Sequence, residues 1–226
     1  MTPAVDRVRH RQFTLHRTPI GAALIGAALV GSTSNAAFAY TATLTPASPL
    51  TVYLQVGVGS FTNNYISGGQ PANNTTINTV SATVAAATVG NGTAQAMTTN
   101  STATQSYWDG YTYCSVPGQL YIGGFYRTTG GATAAALVTA TVPAALTDAA
   151  GDTIPFSKIQ WTSSGNGDAG AEPFPAGVFF NGSVQNVGSM SSNTWNESCW
   201  TFSYLNNTVP PAGTFTGVVR YTLSAP

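Results

Sequence analysis

The chain has 226 residues, 43% of them hydrophobic but only 6% charged, and its seven cations balance its seven anions. Charge this sparse, against the quarter or so usual in soluble domains, excludes a basic nucleic-acid footprint and a basic amphipathic membrane helix. Both histidines, His10 and His16, fall near the N-terminus with four of the cations, so the rest of the chain lacks the commonest general base and a leading metal ligand.

The first 39 residues read as an export leader. Arg7, Arg9, Arg11 and Arg17 form a basic head, Ile20 to Val30 an apolar core, and Ala37-Phe38-Ala39 a small-residue cleavage site. The apolar run is shorter than the ~20 residues that cross a bilayer, so cleavage after Ala39 is expected rather than a retained anchor. The mature segment, residues 40–226, is then a single domain. It carries Arg127, Lys158 and Arg220 against six carboxylates, with no membrane span, no nucleic-acid surface and no cofactor expected.

Leu50, Val52, Leu54, Val56 and Val58 alternate with other residues and share one face of a predicted strand. Two readings stay open. The strand is either the internal first strand of a sandwich or one offered to a neighbouring subunit, whose groove would pocket alternate side chains. No charged side chain occurs between Thr18 and Trp108, whereas exposed sheet edges are normally blunted by Lys or Glu. That absence points to packing against other copies or to a Thr- and Asn-rich extracellular surface.

Farther along, Thr75 to Thr88 is predicted to contain a strand, and Gly90 to Ser106 a long loop or loose hairpin. Tyr111 to Val116 and Leu120 to Tyr126 read as paired strands joined around Pro117-Gly118. Gly123-Gly124 lacks the lysine of a phosphate loop and reads as a bulge or turn beside a strand. Ala134 to Val142 and Ile154 to Thr162 are predicted strands. Val178 to Phe180 and Ser183 to Val187 bracket Asn181-Gly182, a pair favoured in hairpin turns.

Two strands close the chain, Trp195 to Leu205 and Gly213 to Leu223, the second with Phe215, Gly217, Val219, Tyr221 and Leu223 on one face. No amphipathic helix follows the leader. Many short strands between Gly, Pro and Asn turns give an all-β fold, an antiparallel sandwich or barrel.

Candidate chemistry is thin. Cys114 and Cys199, an even pair in an exported chain, read as a disulfide, worth about 4 kcal/mol on the loop-entropy model; two free buried thiols are the alternative. Asp168 with Glu172, and Asp148 with Asp152, match no defined calcium loop and read as solvated turns. Glu172 and Glu197 are the only glutamates, and nothing in the sequence brings them to the fixed separation that glycoside hydrolysis needs. No Gly-x-Ser-x-Gly elbow is present, so no enzymatic activity is expected. Trp108, Tyr111, Trp195 and Trp200 are candidates for a sugar-stacking surface, although aromatics in a sandwich more often form its core.

The closing run from Pro210 through Gly213-Thr-Phe-Thr-Gly217 to Leu223 resembles the last strand of bacterial pilin-like sandwiches, among them spore coat protein U-like domains and chaperone–usher pilins. Trp200 to Tyr204 and Ile154 to Trp161 suit the same architecture. The resemblance implies an immunoglobulin-like sandwich that is incomplete, exported, and completed by a strand from a neighbour, with Leu50 to Val58 as donor. It also implies, as partners, copies of the chain or related subunits and an export chaperone. Cys114 and Cys199 lie farther apart than the early-strand cysteine pair of those pilins. The leading expectation is a secreted or cell-surface structural subunit; a carbohydrate- or surface-binding module is the alternative.

Overall fold

The fold is taken from a computed structural model that describes residues 42–130, 134–165 and 172–226. The predicted leader and Asp168 lie outside the described residues. The first strands are β1 (Ala42–Thr43), β2 (Thr51–Val56), β3 (Ser60–Thr62), β4 (Gln70–Ala72), β5 (Val80–Ser81), β6 (Gln95–Ala96) and β7 (Thr98–Thr99). The longer ones follow: β8 (Leu120–Arg127), β9 (Ala136–Val142), β10 (Ala145–Thr147), β11 (Thr153–Pro155) and β12 (Ile159–Ser164). The last four are β13 (Gly177–Val178), β14 (Ser183–Met190), β15 (Thr194–Tyr204) and β16 (Arg220–Ser224). A single 3-10 turn, Phe156–Lys158, separates β11 from β12.

All pairings are antiparallel. The large sheet runs β13-β12-β15-β8-β2, with β1 and β6 adding to the ends of β15. Eleven residues long, β15 is its spine, pairing β12 along its second half and β8 along its first. The smaller sheet runs β14-β9-β16. Between the two sheets lies the main core. Ile122, Tyr126, Trp161, Trp200 and Phe202 from the large sheet meet Val138, Ala140, Val142, Val187 and Met190 from the small one. Ala136 and Ala140 of β9 are fully buried, and their small size makes room for the indoles opposite. Trp200 lies 5.3 Å from Trp161 and 5.8 Å from Tyr221, ring centre to ring centre.

The other face of the large sheet is covered as well. The long excursion between β2 and β8 folds back over it, so β8 is buried on both sides along almost its whole length. A strand buried on both faces reads as a continuous apolar run rather than an alternation, as Leu120-Tyr-Ile-Gly-Gly-Phe-Tyr126 does.

Several sequence expectations are corrected. Residues 111–116 form no strand beside β8; they contribute one isolated bridge, Gln105 to Thr112, and β8 takes β2 and β15 as partners instead. Gly123 and Gly124 sit mid-strand in unbroken register with Glu197 and Asn196. Gly124 marks a close backbone approach, since a Cβ there would meet the Tyr53 carbonyl oxygen, whereas one on Gly123 would meet the Tyr121 side chain. The turn at Asn181-Gly182 does not close a hairpin. It passes from β13, paired with β12, to β14, paired with β9, and so links the two sheets. The Thr75 to Thr88 stretch does contain a strand, the short Val80–Ser81. The last predicted strand shortens to β16, with Thr216 bridging separately to Thr147.

Candidate functional site

Alternation along β15 sorts its side chains onto the two faces of the sheet. Trp200, Phe202 and Tyr204 enter the core between the sheets. Trp195, Glu197 and Cys199 face the excursion. Trp195 joins Ala42, Leu44, Tyr53 and Phe125 in a second cluster, overlaid by Phe61, Tyr65, Tyr107 and Trp108. The rings form a continuous layer: Tyr65 stacks on Trp108 at 5.4 Å, Phe61 on Tyr107 at 5.4 Å, and Phe125 lies 5.5 Å from Trp195. Arg127 closes one end, over the Tyr65 ring and donating to its hydroxyl.

Backbone hydrogen bonds hold the excursion in place. Tyr65 N donates to Tyr107 O at 2.7 Å and Ile66 N to Trp108 O at 3.0 Å. Gly69 N donates to Asn64 O, and Ser106 N to Tyr111 O. A disulfide, Cys114–Cys199, then ties the excursion to β15, with the Cα atoms 5.6 Å apart and a sequence separation of 85. It packs with Ala103, Tyr113 and Tyr121.

Glu197 is half-buried beneath this layer. Its Oε2 accepts from Trp195 Nε1 at 2.8 Å and from the Tyr121 hydroxyl at 2.9 Å. Burial raises its carboxyl above the ordinary 4.5, against the opposing pull of hydrogen bonds from Trp195, Ser106 and Tyr121. Tyr113 is pushed far up, first by burial and then by the Glu197 and Glu172 carboxylates. Both carboxylates therefore act electrostatically on one phenol, although 24 residues of chain lie between them. Glu172 itself accepts from the Ser198 hydroxyl at 3.3 Å.

Above the layer, residues 61–67 and 105–110 enclose a groove of about 380 Å³ lined by Phe61, Asn63, Asn64, Gln105, Ser106 and Tyr107, with Ser67 and Gly110 at its rim. None of these residues is charged. Nothing in the sequence marks them as one group. Asn63 and Gln105 look like ordinary loop residues until the fold brings them together.

The predicted site residues are distributed as follows. Leu54 and Val56 pack against the main core, while Leu50 and Val52 are 47% and 45% exposed. Val58 lies past the end of β2, beyond Gly57, whose φ of 79° turns the chain. The five aliphatics thus do not present one surface. Nor do the four aromatics. Trp195 and Trp200 are both buried on opposite faces of β15, as their odd spacing on one strand requires. Trp108 is half-buried in the aromatic layer, and Tyr111 is exposed, stacked on Tyr113.

Asp148 spends one carboxylate oxygen on the Ala150 and Asp152 amides of its own turn. Among the described residues, no three His, Cys, Asp or Glu side chains are grouped as metal ligands, and no helix is long and apolar enough to cross a membrane. Comparison with protein-family models, curated proteins and solved structures finds no match.

Proposed function

We propose that this chain is an exported, non-catalytic structural subunit with an immunoglobulin-like, pilin-like sandwich, which associates with its own kind through the free edge of β2. The observation that carries this reading is that edge. Among the described residues β2 ends the large sheet and pairs only with β8, one side chain, Asn78, donating to its last carbonyl at Val56; Val52, and Leu50 just before the strand, are exposed in a stretch without any charged residue from 18 to 108. An unprotected apolar edge is a template for another strand. The basic, apolar and Ala-x-Ala segments of the leader support export, and a disulfide suits an oxidising compartment.

Addition across the edge is favoured over donation of β2 itself. Donation would strip six residue pairs from β8 and expose Tyr53 and Gln55, both now buried. Pairing β2 with β2 about a two-fold axis closes at a dimer, whereas pairing it with a different edge propagates a fibre. An export chaperone would cover the same edge before assembly.

The test is light scattering on the full chain purified after export, beside Val52→Lys. The wild type is expected to form dimers or longer species. A lysine at this half-exposed edge position should weaken association about tenfold or more without moving the unfolding midpoint. A monomeric wild type, or equal assembly by the variant, overturns the reading. Leu54→Asp is the wrong probe, because Leu54 packs on the core and its loss reports folding.

A further inference from the structure

We propose that the groove between residues 61–67 and 105–110 binds a neutral saccharide, a function separate from edge association. Its lining combines two things that a sugar ring needs. Phe61 and Tyr107, stacked and half-exposed, offer aromatic surface to the apolar face of a pyranose. Asn63 and Gln105 are exposed, and their side-chain amides make no hydrogen bond within the described residues. Each amide presents donors and an acceptor side by side, which matches paired hydroxyls.

The neighbouring polar groups are used differently. Asn64 donates to the Asp109 carbonyl at 3.2 Å and accepts from Ser67 N at 2.8 Å, so it builds the wall. Ser106 is fully buried and its hydroxyl accepts from Trp108 N, so it builds the floor. Asn63 itself is held at a φ of 58°, a left-handed conformation that asparagine tolerates better than most residues.

The electrostatics select against an anion. No lysine or arginine lines the groove, while the Glu197 carboxylate lies under Ser106. The cross-loop backbone bonds and the disulfide fix the walls beforehand, which lowers the ordering cost of binding. A volume near 380 Å³ falls at the small end of ligand clefts, ~300–1,000 Å³, and suits a short stretch of a chain rather than an extended one.

The test titrates the exported full chain with cellohexaose, mannohexaose and chitohexaose, and with hexagalacturonate as the acidic comparison, by calorimetry. At least one neutral hexaose is expected to bind, and the double substitution Asn63→Gly/Gln105→Ala, with glycine chosen because it accepts the left-handed backbone at position 63, should weaken it about tenfold or more with an unchanged unfolding midpoint. Val52 does not line the groove, so Val52→Lys should bind as the wild type does; loss of assembly and loss of binding are thereby separated. Binding that survives the double substitution overturns the proposal, as does binding of no neutral hexaose or preferential binding of the acidic one.

Discussion

Glu197 is a carboxylate held where charge is costly and three donors partly compensate it. Because burial raises its carboxyl above 4.5, the folded state holds that proton more tightly than the unfolded chain does. Its contribution to stability is therefore greatest below about pH 4.5 and is lost as pH rises through the folded-state value. Glu197→Gln retains an acceptor for Trp195 and Tyr121 and removes the ionisation. The expected result is a flatter dependence of the unfolding midpoint on pH above 4.5, with stability at pH 7 equal or higher. Glu197→Leu leaves the buried Trp195 and Tyr121 donors unpaired and should cost about 2–5 kcal/mol at any pH. Denaturant titrations at pH 4 and pH 7 check both. A glutamine variant with the wild-type pH slope would mean that another group sets it.

At the level of elements, the seam between β2 and β8 depends on Gly124. A methyl group there would collide with the Tyr53 carbonyl oxygen of the paired strand, which is backbone and cannot swing aside. Gly124→Ala should destabilise the protein by about 3 kcal/mol, measured by urea unfolding. An unchanged midpoint would mean that β2 can shift away from β8 at little cost. The sequence suggested a bulge at this glycine pair because glycine in a strand marks either a bulge or a close approach, and only the register distinguishes them. The same limit applies to Asn181-Gly182. Turn chemistry is local and legible, but whether the strands on either side pair with each other depends on partners elsewhere in the chain.

Across the whole molecule, one sheet is covered twice, by the smaller sheet on one face and by the excursion on the other. The disulfide fastens that second cover to β15. Cys114→Ala/Cys199→Ala should lower stability by about 4 kcal/mol through the freed loop, with further loss from loosened packing around Tyr113 and Tyr121. A measured loss below about 1 kcal/mol would show that the aromatic layer alone holds the excursion down. The groove and the free edge of β2 follow from this architecture: the groove forms where the cover folds back, and the edge is left where the sheet ends.

The all-β class was legible in the sequence, because period-two alternation, turn residues and the lack of any amphipathic helix after residue 39 are local signals. So was the pairing of the two cysteines, which needed only their number and an expected oxidising compartment. The path of β15 was legible to within a residue or two, since its Trp, Phe and Tyr run has no competing reading. Tertiary structure alone decided which face each aromatic covers, which sheet each strand enters, and that Asn63 meets Gln105. These depend on contacts between residues far apart in the chain. Alternation marks a buried face without naming what buries it, and in β8, covered on both sides, even that alternation disappears.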